Sequence, residues 1–266
     1  VDALSIDQSN MQERMHQVRI MSSIFRGAEE VLTWLGSTTD AVDTLIGWWE
    51  NKFGTRDKRN ARHDRIPGLQ DICGRSYWSR LWVVQELKSA KRITLICGSH
   101  TLDWEKFVAL LYEAALSITD YSATSRTYDL EVTDITGRTA GFYGKLGPAT
   151  KMIDLCNGTM PTSLWVLLQV TSHLNCYEPR DKVYTLLSMA KTGSEGIDAD
   201  YELPLPRLMH RVLRNLYAVD RPQSTNEVDI HCARLKAILG LQPDYPWTAN
   251  DYLAAEKLAP AVIVAI

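Results

Sequence analysis

Arg75-Ser-Tyr-Trp-Ser-Arg-Leu-Trp-Val-Val-Gln-Glu-Leu-Lys-Ser-Ala-Lys-Arg-Ile-Thr-Leu-Ile-Cys-Gly98 is the stretch whose reading decides the fold. Ser76 suits a helix N-cap and no Gly or Pro interrupts the residues that follow. Ile93 to Cys97 is the short apolar run of a buried strand, closed by Gly98. The pattern predicts one helix feeding one strand. At about 100° per residue, Val83, Val84 and Leu87 share one face, while Trp78, Trp82, Gln85, Glu86 and Ser89 gather on the other. Two indoles would then flank one carboxylate. A helix apolar around most of its circumference packs on more than one side, so Glu86 is expected in a partly dry setting. An unpaired buried carboxylate loses several kcal/mol of hydration, so it must be paired, protonated or opened to a cleft. An ion pair with Arg75, Arg80 or Arg92 satisfies that requirement, and so does a functional acid.

Upstream, Val1 to Ile6 reads as a strand, and Ser9 with Gln12 reads as a capping box. Met11, Met15, Val18, Met21, Ile24, Phe25 and Ala28 recur at helical spacing, which predicts a helix over 9–28 with these side chains in the core. Glu30 to Leu35 is the next strand, ended by Gly36. Strand, helix, strand implies a parallel pair with a right-handed crossover. Ligands of such sheets bind at the carboxyl ends of strands, where Asp7, Gln8, Gly36 and Ser37 fall. Asp7 is the candidate among them, and an acid in the first turn of a helix is the alternative. The chain opens on Val1, without methionine, inside this strand, and so reads as a fragment or a processed product.

Asp40 to Lys52 reads as a further helix, Asn51 to Arg65 as a solvated loop, and Asp103 to Ser117 as the helix that closes the α/β unit. Residues 119–155 are rich in Thr, Ser and Gly and read as a linker or insertion. The Gly-Phe-Tyr-Gly-Lys run within it is no P-loop, because six residues separate Gly137 from Gly144 and Leu146 stands where Ser or Thr belongs. Helices are expected at Ser163 to Thr171, from Pro179 onward, and at Leu208 to Tyr217. Arg180 and Asp181 are candidates for a buried pair. The expected organisation is an α/β core over 1–118, the linker 119–155, a helical continuation over 156–219, and a segment 220–266 of weak periodicity that reads as truncated. The sheet is expected to be parallel and flanked by helices.

With 266 residues, 45% of them hydrophobic, the chain is long enough for a large core. A formal charge of -3 and a pI near 6.1 give no global attraction to nucleic acid or anionic membrane. No apolar run approaches the roughly 18 residues of a membrane span and no secretory signal opens the chain. Five scattered cysteines, an odd number, read as reduced thiols, which makes the cytoplasm the expected compartment. Six histidines show no Cys/His ligand spacing, so no metal is expected.

Asp2 to Gln8, Val31 to Gly36 and Trp78 to Glu86 together resemble the fungal heterokaryon-incompatibility (HET) domain. That family pattern runs Asp-Ala-x-x-Ile-Asp-Gln, a helix, Val-x-x-Trp-Leu-Gly, then Trp-Ser-Arg-x-Trp-x-x-Gln-Glu. The segment Glu178 to Leu187 resembles a later segment of the same proteins, with Glu178 in place of Asp. Ser5 stands where many HET domains have cysteine, so no thiol chemistry carries over to that position. The family also carries an upstream strand, which is expected before Val1. A more distant resemblance links Trp82-x-x-x-Glu86-Leu87 to Toll/interleukin-1 receptor (TIR) domains, and it implies a TIR-like or flavodoxin-like sheet. The HET resemblance implies a signalling protein of fungal non-self recognition that triggers programmed cell death through protein partners or self-assembly. The TIR resemblance implies an alternative, cleavage of NAD to nicotinamide and ADP-ribose. In that reading Glu86 is the catalytic carboxylate, Asp7, Trp78 and Trp82 contact substrate, and NAD is a substrate instead of a cofactor.

Overall fold

In the computed structural model of the protein, the described residues are 6–7, 9–51, 61–111, 147–157 and 163–258. The expected strand Val1 to Ile6 lies outside them except for Ile6, which is in neither helix nor strand. The first helix, α1, spans Met11–Gly27. Its cap is Asn10 and not Ser9: the Asn10 Oδ1 accepts from the backbone N–H of Gln12 and of Glu13, both at 3.1 Å. The Glu13 carboxylate accepts from the Asp7 N–H at 3.2 Å, while the Asn10 N–H bonds the Asp7 carbonyl at 3.1 Å, so the cap is one-sided and one residue later than its sequence pattern suggested.

Two compact units make up the chain, 23–159 and 1–22 with 160–266. The unit 23–159 is built on strands β1 (Val31–Trp34), β2 (Ile93–Cys97) and β3 (His100–Asp103), in that order across the sheet. β1 and β2 are parallel, with Val31 opposite Ile93 and Trp34 opposite Ile96. β2 and β3 are antiparallel, with Cys97 opposite His100 across the two-residue turn Gly98-Ser99. The expected all-parallel sheet is therefore mixed. Gly98 at φ +58° supplies the left-handed conformation of a tight hairpin, which can only send the chain back beside β2. Val31, Thr33, Leu95 and Cys97 face the core, whereas Leu32 and Trp34 stay exposed on the other face.

Helix α2 (Asp40–Asn51) packs on α3 (Ala61–Gly74). Their approach depends on Gly68, where an added Cβ would lie 2.4 Å from the Ala41 carbonyl oxygen. The stretch read as a solvated loop lies mainly outside the described residues, and its end, 61–65, belongs to α3. The helix expected from Ser76 is two pieces, a 3₁₀ turn (Ser76–Ser79) and α4 (Val83–Ser89). Arg80, extended at φ −83° and ψ 131°, separates them. Residues 104–111 are helical, as expected of the start of that helix, and the remainder lies outside the described residues.

Helix α5 (Pro148–Asn157) packs on α3, the 3₁₀ turn and α4. It occupies the end of the stretch read as linker. Ala149, Met152, Ile153 and Cys156 recur at helical spacing and are all buried, and proline at the first position needs no N–H partner. Met152, Leu69, Ile72, Leu81, Phe107 and Trp78 are all buried core residues of this unit.

In the other unit, α6 (Leu164–Val170), the single turn α7 (Asp181–Tyr184) and α8 (Leu205–Val219) stand where helices are expected. Helices α9 (Thr225–Ile238) and α10 (Ala249–Leu258) occupy the segment of weak periodicity. Ser224 caps α9 by accepting from the Glu227 N–H at 3.2 Å, while Glu227 accepts from the Gln223 N–H at 2.7 Å. The described chain is thus mixed α/β and mainly helical.

Candidate functional site

Glu86 lies in the first turn of α4, where a carboxylate interacts favourably with the helix dipole. Tyr77, in the preceding 3₁₀ turn, donates its hydroxyl proton to Glu86 Oε2 at 2.9 Å. That proton is then spent, so Thr33 Oγ1 on β1 donates to Tyr77 Oη at 3.2 Å. A relay of three side chains results, running from a fully buried threonine through a buried tyrosine to a carboxylate that keeps partial solvent exposure. Burial, reinforced by the Glu86 charge, raises the Tyr77 pKa far above the ordinary phenol value, so the hydroxyl stays a donor.

The two indoles expected beside Glu86 part company. Trp78 has no exposed surface, donates Nε1–H to the Ile72 carbonyl at 2.7 Å and stacks on Phe107 at 6.0 Å between centroids. It is a core residue, because the extended Arg80 breaks the helical phase that would have put it on the face of Glu86. Trp82 occupies the position before α4 without a side-chain capping bond and remains half-buried. Asp7 is exposed, and its Oδ1 accepts from Ser9 Oγ at 2.6 Å and from the Ser9 N–H at 2.9 Å. Those bonds hold its carboxyl below the usual range, and they make it a local turn acid. Asp7 belongs to the unit that includes 1–22, whereas Glu86, Trp78 and Trp82 belong to 23–159.

Arg75, one of the three partners foreseen for Glu86, is committed elsewhere. Its Nε and Nη2 bond Asp71 Oδ1 at 2.9 and 2.8 Å, and its Nη1 bonds the Leu35 and Ser37 carbonyls at 2.8 and 2.7 Å. The guanidinium thereby clamps the carboxyl end of β1 to α3. Beside it, Asp43 accepts from Thr38 Oγ1 at 2.6 Å and lies 2.8 Å from His100 Nε2, contacts that hold its carboxyl low. Asp71, Arg75, Asp43 and His100 escaped the sequence reading as a group. The i, i+4 spacing of Asp71 and Arg75 was the only available signal. Their distribution over α2, α3, β3 and a loop was not.

The Arg180–Asp181 pair does not form. Arg180 pairs with Glu178 at 2.6 Å and donates Nε–H to the Leu203 carbonyl at 3.0 Å, while buried Asp181 accepts from the Tyr201 hydroxyl. On one turn of helix the two adjacent side chains diverge, so each finds a separate partner. Lys182, nearly buried, donates to the Ser172 carbonyl at 2.9 Å and to the Leu174 carbonyl. This segment ties loops together within its own unit. All five cysteines are free thiols. Among the described residues no cluster of His, Cys, Asp and Glu is arranged to hold a metal, and no helix is long and apolar enough to cross a membrane.

Residues 1–86 match the family model described as Heterokaryon incompatibility protein (HET). Over those residues the chain is similar to the HET family. The match takes in all three segments of the resemblance and includes Thr33, Tyr77 and Glu86. It ties the protein to heterokaryon incompatibility. The segment Glu178 to Leu187 lies beyond it. No curated protein and no solved structure matches the chain.

Proposed function

We propose that this protein is a cytoplasmic HET-domain signalling module of fungal non-self recognition, which triggers cell death by assembling with partner chains or with itself. The observation that carries this reading is the HET match over residues 1–86, which contains an oriented, partly exposed carboxylate, Glu86. Thr33 and Tyr77 fix one oxygen of Glu86, which is what a group presented to a partner or a ligand requires. The test is inducible expression of the full chain in a fungal host, beside Glu86→Gln and Tyr77→Phe variants at matched protein levels. Wild-type expression should arrest growth, Glu86→Gln should relieve the arrest, and Tyr77→Phe should weaken it. Growth unaffected by the wild type, even when forced into oligomers by a fused dimeriser, overturns the reading.

One observation favours a second reading at the same residue. Glu86 keeps partial exposure at the N-terminal turn of a helix, half-buried Trp82 stands four residues before it, and a buried tyrosine sets its orientation. A carboxylate so placed can stabilise the oxocarbenium-like charge that develops on ribose as the N-glycosidic bond of NAD breaks. Nicotinamide is already a good leaving group, and water completes the reaction to ADP-ribose. A TIR-like or flavodoxin-like sheet is part of this second reading. The parallel β1–β2 pair, joined through helices, is compatible with it, and the antiparallel β3 is a departure from it. Nicotinamide release by the full chain at high concentration, absent in folded Glu86→Gln, is the expected result. No release by assembled wild type sinks the NAD reading and leaves the signalling one standing.

A further inference from the structure

In the unit that contains α8, an open cavity of about 380 Å³ is lined by Arg207, His210, Arg211, Arg214, Trp247 and Ala255. At about 100° per residue, positions 207, 210, 211 and 214 fall within one arc of roughly 100° on α8. The opposite face of that helix, with Leu208, Met209, Val212 and Leu213, is buried. Leu205–Val219 contains no acidic residue. Among the described residues none of these three guanidinium groups donates a hydrogen bond or meets a carboxylate. By contrast, Arg180 of the same unit pairs with Glu178, Arg19 bonds the Ala199 carbonyl at 2.9 Å, and Arg14 lies 3.9 Å over the Tyr201 ring.

Like charges at i, i+4, as at 207 and 211, repel, and among the described residues no carboxylate forms an ion pair with them. The burial of the apolar face holds the helix in place, so the arginine face is left to take an anion. Guanidinium forks match phosphate oxygens in pairs, and three of them on one wall suit more than a single phosphate. Buried Trp247 and half-buried Ala255 supply apolar lining to the same cavity, which has the volume of a small-molecule site. We propose that this cavity binds a small molecule carrying two or more phosphates, of about mononucleotide size, with Arg207, Arg211 and Arg214 on the phosphates and Trp247 and Ala255 against the organic part. The proposal is independent of Glu86, which lies in the other unit.

Calorimetry on the full chain with ADP, inorganic pyrophosphate and adenosine tests it, beside Arg207→Gln/Arg211→Gln/Arg214→Gln and a control, Arg234→Gln, on the exposed face of α9. ADP and pyrophosphate should bind and adenosine should not. Affinity should fall as salt rises, and the triple variant should bind at least about tenfold more weakly while the control is unchanged. Where the triple variant fails to fold, ADP should instead protect these three arginines of the wild type from phenylglyoxal, read by mass spectrometry. Absence of binding by folded wild type, equal binding by the folded triple variant, or no protection overturns the proposal. Binding of single-stranded DNA more tightly than ADP replaces the small molecule with a nucleic acid.

Discussion

The protein uses one pairing twice, a tyrosine hydroxyl donated to a carboxylate, and the two copies end in opposite settings. Tyr201 donates to Asp181, which is 7% exposed, under the guanidinium of Arg14 and edge-on to Tyr184 at 5.3 Å. Tyr77 donates to Glu86, which lies on a helix end with partial exposure, and draws its own proton partner from a buried threonine. Burial raises the pKa of both phenols far above the ordinary value, with the paired carboxylate reinforcing the shift. The closed copy has its remaining surface spent on neighbours and acts as a fastener. The open copy holds an acid in a fixed pose where something else can reach it. The same chemistry is structural or functional according to what covers the carboxylate.

The largest effect should come from removing the platform beneath the open copy. Trp78 has no exposed surface and meets the Tyr77 ring edge-on at 5.2 Å, so Trp78→Ala should cost about 3–5 kcal/mol of stability in urea unfolding. A loss below 1 kcal/mol would put the indole outside the core. Next comes the direct contrast. Asp181→Ala leaves a buried tyrosine hydroxyl without its acceptor and should cost about 1–3 kcal/mol, whereas Glu86→Gln, which keeps an acceptor at a partly exposed site, should cost less than about 1 kcal/mol. The reverse order would break the comparison, because it would make Glu86 the fastener.

The smallest effect is a pH dependence. Burial pushes the Cys73 and Cys156 thiols up to about 12 and the Cys176 and Cys232 thiols to about 11. Raised folded-state values mean that the neutral thiol is the form the fold prefers. Its contribution is complete below the unfolded value near 9 and is lost as pH rises toward these values. The urea midpoint should therefore fall between pH 8 and pH 10.5, and Cys176, half-buried, should react with a thiol reagent before the other four. A midpoint that is flat over that range, or an earlier reaction at Cys73, contradicts the burial that both copies depend on.

Much of the local structure was legible. The apolar run of β2, the extents of α1, α2 and α8, and the proline at the start of the turn before α7 are local signals and stand where the residues put them, but the α1 side chains expected in the core are not buried: Met11 and Ile24 are exposed, and Ser22 is the buried residue of that helix. Helix α3 was not legible, because Pro and Gly ordinarily interrupt a helical pattern and both stand inside it at Pro67 and Gly68, while in the fold Gly68 is the point at which α3 meets α2. Of the site, Glu86 could be singled out as an acid on a crowded helix, but Tyr77 could not be chosen over the arginines as its partner. A serine-flanked tyrosine in an aromatic segment carries no mark of the threonine 44 positions away that completes the relay.

By itself, then, the sequence determined the periodic elements and the HET pattern over its first third. These depend on residues a few positions apart, where spacing and face are fixed by backbone geometry. The tertiary structure decided that Trp78 belongs to the core and not to the face of Glu86, that the sheet is mixed, and that Arg75 grips Asp71 and the end of β1. It also decided that Asp181 takes a tyrosine and that Arg180 takes a glutamate. Each of these turns on which groups meet once the chain has collapsed. Several acceptable partners lay within reach in composition, and only the packed fold, by desolvating some and excluding others, selected among them.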